Sequence, residues 1–260
     1  MEDVEQVTLY DAPTTSLEVD EIADWLQARL CLPVDTRGRF VESRVTDELV
    51  ESFARARVRS PYDRETGSTM YGILRYEERV LDDPRRGGGV MYDGLALQRA
   101  LNQLLSRDER GLEHAHIVFL DRVIGTWGDH DGRWHKRIVV MGHPAIVSVP
   151  GLAEAPAKPE EYYRRKQQSA MLTGDAPPRE LLESELEEDV LVEHDPRTTE
   201  ALKGYALSAI HYLETGESFC SNPQCRLSNP HRHEGVLEAQ LTDPAFCEEH
   251  AALYRASQQG

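Results

Sequence analysis

"AHIVFLDRVIGTWGDHDGRWHKRIVVMGHPAIVSVPGL" occupies residues 115–152. It holds three β-branched runs, "AHIVFLDRVIGTW", "RWHKRIVVMG" and "PAIVSVPGL", parted by Gly, Asp and Pro. Val, Ile and aromatic side chains suit a pleated, half-buried surface, and Gly, Asp and Pro interrupt it. The pattern predicts three strands.

Upstream, "VTLYDAP" reads as a short strand stopped by Pro13. "SLEVDEIADWLQARL" follows as a helix with Ser16 as N-cap and Val19, Ile22, Ala23, Leu26 and Leu30 on one face. "VTDELVESFARARV" predicts a second helix, capped by Thr46, with Leu49, Phe53 and Ala56 on its apolar side. "DPRRGGGVMYDG" is a glycine-rich turn that lacks the spacing of a phosphate loop. "GLALQRALNQLLS" predicts a third helix. Helices followed by several strands indicate an α/β chain, a mixed sheet flanked by helices, with α+β as the alternative.

Downstream, "KPEEYYRRKQQSAML" predicts a helix beginning at Pro159. Residues 173–196 are the most acidic and carry prolines, so they read as an exposed connection with one helical piece. Glu185, Glu187, Glu188 and Asp189 there could hold a cation, but charge runs usually form a solvated face. "PRTTEALKGYALSAIHYLETG" is a long helix with Ala201, Tyr205, Ser208 and Tyr212 on one stripe and Leu202, Ala206, Ala209 and Leu213 on the next, ended by Gly216. The expected organisation is one domain over 1–260: sheet and helices to residue 172, the acidic connection over 173–196, and the long helix with its sequel over 197–260.

That sequel is "FCSNPQCRLSNPHRHEGVLEAQLTDPAFCEEH", residues 219–250, with a short closing helix in "PAFCEEHAALYRA". Four residues separate Cys220 from Cys225, two separate Cys247 from His250, and a loop of 21 residues joins the pairs. Each pair can supply one edge of a tetrahedron, and the loop lets the second pair fold back. An i, i+3 spacing on a helix puts Cys247 and His250 on one face. Three thiolates and one imidazole fill a zinc shell and leave no place for water, so the expected metal is one structural Zn2+ per chain. His231 and His233 are alternative fourth ligands. Cys31, alone at the end of a helix pattern, reads as a small buried apolar residue.

The chain carries 29 basic and 46 acidic residues, a net charge of −17, with lysine only at Lys136, Lys158, Lys166 and Lys203. That balance is similar to proteins of salt-loving archaea, and it disfavours generic nucleic-acid binding because phosphates would be repelled. No apolar run approaches a membrane span, and the acidic N-terminus does not resemble a signal peptide, so the expected location is the cytoplasm. The sequence names no partner.

The layout of the C-terminal half, "ETGESFC", "CSNPQC", a loop and then "FCEEH", resembles the archaemetzincins, zinc metallopeptidases with a His-Glu-x-x-His-x-x-Gly-x-x-His helix followed by a structural zinc site. "PAIVSVPGL" resembles the strand and turn before that helix. The resemblance implies a metzincin-like fold. Carried over residue by residue, the family glycine falls on Gly216, the three zinc-binding histidines on Ala209, Leu213 and Phe219, and the catalytic glutamate on Ile210. None of these four can bind zinc or move a proton. The chain is also similar to archaeal proteins of uncharacterised function labelled as metallopeptidases.

Two readings follow. In the first, the chain is a zinc-stabilised, non-hydrolytic relative of these peptidases. In the second, an active metal-dependent hydrolase is rebuilt around His211 and Glu214, three apart on the long helix, with help from His114, His116, His130, His135 or His143. The plain reading of His211 is a partly buried histidine bonded to Glu214. Ser148 in "IVSVPG" lacks a Gly-x-Ser-x-Gly frame, so a serine hydrolase is not supported.

Overall fold

The computed structural model describes residues 4–12, 16–42, 44–186, 188–243 and 245–254. Pro13 and Glu187 lie outside the described residues. In chain order the elements are β1 (Gln6–Tyr10), α1 (Val19–Leu30), β2 (Val34–Arg37), α2 (Asp47–Ala56), α3 (Tyr71–Asp82), β3 (Met91–Asp93), α4 (Gly94–Leu104), β4 (His114–Leu120), β5 (Val123–Gly128), β6 (Arg133–Arg137), β7 (Val139–Val140), β8 (Ala145–Ser148), α5 (Gly151–Glu154), α6 (Glu160–Thr173), α7 (Arg179–Ser184), α8 (Thr198–Thr215), α9 (His233–Leu241) and α10 (Glu248–Leu253).

The stretch 115–152 contributes strands to two sheets, which β1, β2 and β3 complete. One has the order β2-β1-β4-β8-β7, parallel except for β7. The other has the order β3-β5-β6. The fold is therefore mixed α/β, with both sheets flanked by helices. The three expected strand runs divide into five strands. The first breaks at Asp121 and Arg122, where β4 leaves the larger sheet and β5 enters the smaller one beside β3.

β4 is buried along its whole length, as a parallel strand covered on both faces must be. Ala115, Ile117 and Phe119 point to one side, where they meet Ile22 and Leu26 of α1 and Ala201, Leu202, Tyr205 and Ala206 of α8. Val118 and Leu120 point to the other, against Leu49 and Phe53 of α2 and Leu97 and Leu101 of α4. Each Ile, Leu, Val or Phe among them contributes about 1.5–3 kcal/mol by leaving water.

Thr46 caps α2 as expected, its Oγ1 accepting from the Leu49 amide at 3.3 Å. α1 is capped differently. It begins at Val19 with no side-chain bond from its own N-cap position. Thr199 of α8 supplies the contact: its Oγ1 accepts from the Glu18 amide at 3.0 Å and donates to the Ser16 carbonyl at 3.2 Å. Cys31 is exposed rather than buried, because α1 ends in a left-handed turn at φ 55° that swings it outward.

Residues 173–196 are less exposed than their charge suggests. Leu182, Leu186 and Val190 are buried with Tyr162 of α6. Glu183 is buried too, because Lys158 lies 2.8 Å and Arg179 2.7 Å from its Oε1. Glu185 pairs with Arg165 on the surface. Among the described residues, no helix is long and apolar enough to cross a membrane.

Candidate metal centre

α8 is buried around almost its whole circumference from Thr198 to His211, as expected of a helix enclosed by packing partners. It ends at Gly216, whose φ of +80° and amide bond to the Tyr212 carbonyl at 2.9 Å close the last turn. The chain then forms a knuckle. The Asn222 amide donates to Cys220 Sγ at 3.3 Å, Asn222 Oδ1 accepts from the Gln224 amide at 3.0 Å, and the Cys225 amide donates to the Asn222 carbonyl at 3.1 Å. An Asn folding its side chain onto the backbone two residues on makes the sharp turn that four intervening residues require.

The loop of 21 residues is not a plain loop, since it contains α9. Cys247 is the N-cap residue of α10, and the i, i+3 geometry brings its Sγ to 3.1 Å from His250 Nδ1. The ligand atoms of Cys220, Cys225, Cys247 and His250 all lie within 4.8 Å of one another. Cys220 Sγ and Cys247 Sγ are 3.9 Å apart, and Cys225 Sγ is 3.7 Å from His250 Nδ1. Tetrahedral zinc bonds give edges of about 3.8 Å between sulfurs and about 3.6 Å between sulfur and nitrogen. The donor set and its spacing fit zinc.

Burial pushes the Cys225 thiol up to about 12, even though the Cys247 and Leu227 amides donate to it. A thiolate there needs a compensating positive charge. Burial works upward on Cys247 as well, but the His250 amide and ring and the Cys225 and Cys220 thiols hold it near 7.

The clip is held against α8 and α1. Cys225, Leu227 and Val236 belong to the core beneath the sheet. Arg226 donates to the Gln240 carbonyl at 2.7 Å and pairs with Glu200 of α8 at 2.7 Å, while Gln240 Nε2 donates to the Arg226 carbonyl at 2.9 Å. Gly204 lets this assembly reach the helix. A Cβ there would lie 2.5 Å from Arg226 Cγ and 2.7 Å from the Arg226 carbonyl. Helix propensity alone would favour alanine by about 1 kcal/mol. The backbone clash reverses that sign, so Gly204→Ala is expected to lower unfolding free energy by about 2 kcal/mol in urea titrations. An unchanged or raised midpoint would contradict the close approach. A glycine in mid-helix was the only signal of this contact in the sequence.

The other candidates take different places. His233 is buried, and its Nδ1 accepts from the Leu191 amide at 3.1 Å. His231 is exposed, and its carbonyl accepts from the Ala157 amide at 2.8 Å. Both anchor the clip loop to the preceding segments, and neither joins the cysteine group. Ala209 and Ile210 are fully buried, and Leu213 and Phe219 pack against the same core. His211 is 4% exposed, its Nδ1 is 2.7 Å from the Tyr254 hydroxyl, and its ring lies edge-on to His250 at 5.2 Å. Among the described residues, neither His211 nor Glu214 falls in a group of three or more His, Cys, Asp or Glu with converging ligand atoms.

His114, His116 and His143 do meet, on the face of β4 opposite α8. The His114 and His116 rings stack at 4.3 Å, and His143 stands edge-on to His116 at 5.3 Å. Thr8 meets His114 Nε2, Tyr10 and the Glu109 carbonyl meet the two nitrogens of His116, and Asn102 and the His114 carbonyl meet those of His143. Ser148 donates to the Arg122 carbonyl at 2.6 Å and accepts from the Gly151 amide at 2.8 Å, a buried turn contact.

A family model described as a family of unknown function (DUF7001) matches residues 8–253. No curated protein matches the chain. Two solved structures resemble it loosely. A zinc-dependent peptidase from Methanocorpusculum labreanum shares 11% identity at a TM-score of 0.46, over 95% of this chain and 98% of its own. An archaemetzincin from Methanopyrus kandleri shares 12% identity at a TM-score of 0.45, over 96% of this chain and 93% of its own.

Proposed function

The chain belongs to the DUF7001 family of unknown function, and we propose that it is a zinc-stabilised, non-hydrolytic protein whose metal is structural. The observation that carries this reading is the convergence of Cys220, Cys225, Cys247 and His250 within 4.8 Å. Four protein donors complete a tetrahedral shell and leave no position for a reacting water. When bound, the zinc supplies folding energy, tying α10 and the knuckle to the end of α8.

The burial of Ala209 and Ile210, and the packing of Leu213 and Phe219 against the core, support the absence of a hydrolytic zinc on α8. The contacts of His211 with Tyr254 and His250 favour a packing role for it over a rebuilt peptidase site with Glu214. The acidic surface supports a working life in salt, where carboxylates keep a chain hydrated.

Metal analysis tests the reading. After dialysis against EDTA, the folded protein is expected to keep one zinc per chain, and His211→Ala to keep it too. A chain left with no zinc but an unchanged fold after that dialysis, or a tightly held zinc lost with His211, would overturn it.

A further inference from the structure

The β5–β6 hairpin carries a second set of converging donors, far in character from the cysteine clip. Its turn, "GDHDGR" over residues 128–133, is closed by the Gly132 amide donating to the Gly128 carbonyl at 2.9 Å, with Gly132 at φ +65°. His135 follows on β6, paired with Thr126 of β5. This geometry brings His130, Asp131 and His135 together, with one ligand atom of each inside 4.8 Å of the others. His135 Nε2 is 2.9 Å and His130 Nε2 is 3.7 Å from the same oxygen, Asp131 Oδ1. The two imidazole rings are nearly parallel, 13° apart, with centroids at 5.8 Å.

Two further features point to a seat for an ion. Arg133 donates to the other carboxylate oxygen, Oδ2, at 2.7 Å. That bond fixes the carboxylate and leaves Oδ1 turned to the imidazoles. Beneath them sits Gly128, where a Cβ would lie 2.6 Å from Asp131 Oδ1 and 2.8 Å from His135 Nε2. Any larger residue would fill the space in which the donors meet.

We propose that this hairpin binds an exchangeable first-row divalent cation, independently of the clip. Two imidazoles and one carboxylate are borderline donors, suited to nickel, cobalt, copper or zinc and poorly suited to calcium or magnesium, which prefer oxygen. Three protein donors on an exposed turn leave the remaining positions to water. Without a metal, Asp131 is already satisfied by Arg133 and His135, so the ion must compete with them. The site therefore binds more weakly than the clip and exchanges freely.

Titration of the full, zinc-loaded chain with Co2+ tests this. The expected result is one added equivalent with micromolar affinity and a weak visible band, without the intense near-ultraviolet absorption of cobalt–thiolate bonds. His135→Ala is expected to weaken binding by roughly tenfold or more through loss of a donor. Gly128→Ala keeps every donor and is expected to weaken it similarly by filling the seat, while circular dichroism shows both variants folded. No added equivalent, binding unchanged in both variants, or a thiolate-type spectrum would overturn the proposal.

Discussion

Replacing Cys225 by serine is expected to release the zinc and lower Tm by at least about 10 °C. Structural zinc in small domains contributes about 10–16 kcal/mol of apparent binding free energy, comparable to the whole stability of a domain at about 5–15 kcal/mol. Here the core backs the clip, so the loss is partial. It is still large, because Cys225 is fully buried beside Leu227 and Val236 and the serine hydroxyl would have no metal to meet. Differential scanning calorimetry checks it, with Cys31→Ser as the control. Cys31 is exposed at the end of α1 and outside the cluster, so its variant is expected to melt like the parent. Equal melting of Cys225→Ser and the parent would contradict a structural metal.

The second large effect is acid lability. Burial holds both His116 and His233 down at about 4, against an ordinary value of 6.5. His116 is enclosed by the Tyr10 hydroxyl, the Glu109 carbonyl and the rings of His114 and His143. His233 must stay neutral at Nδ1 to accept from the Leu191 amide. Above pH 6.5 both are neutral in the folded and unfolded chain, and stability is complete. Between 6.5 and 4 the unfolded chain takes up protons that the folded chain refuses, so stability falls as pH falls. Below about 4 this loss levels off. Each histidine accounts for roughly 3 kcal/mol over that window. Urea titrations from pH 7 to 4 should show the slope, and a His116→Asn/His233→Asn variant should show a shallower one. It keeps all four clip ligands, so protonation of those ligands is common to both proteins. Identical slopes would contradict the assignment.

The features legible in the sequence are those whose cause is local. The unbroken apolar run of β4, the Thr46 cap, the left-handed stop at Gly216 and the close pairing of Cys220 with Cys225 and of Cys247 with His250 each depend on neighbours in the chain. What was not legible depends on partners far away. α3 escaped notice because its buried side is Glu77, Val80 and Leu81. Glu77 is tolerated inside only because Arg57 lies 3.0 Å from one oxygen and Tyr92 donates to both. Glu183, in the acidic stretch expected to be exposed, is buried in the same way, its charge answered by Lys158 and Arg179.

The scarce lysines follow this logic. Lys158 and Lys203 are both buried, and Lys203 bridges Glu21 of α1 and Glu200 of α8 at 2.5 and 2.6 Å. Two of the four lysines are thus spent on internal pairing. β2 and β3 are four and three residues long, too short to show a period, and exist because β1 and β5 offer them an edge. In the clip, the spacing of Cys220, Cys225, Cys247 and His250 was readable. Its seat on Gly204 required the fold.

Zinc K-edge X-ray absorption on the EDTA-dialysed protein, cleared of exchangeable metal, tests the central claim most directly. A closed structural site predicts three sulfurs at about 2.3 Å and one nitrogen at about 2.0–2.1 Å, with no oxygen. A shell with fewer sulfurs and a bound water would contradict it, since an open position is what hydrolytic zinc requires.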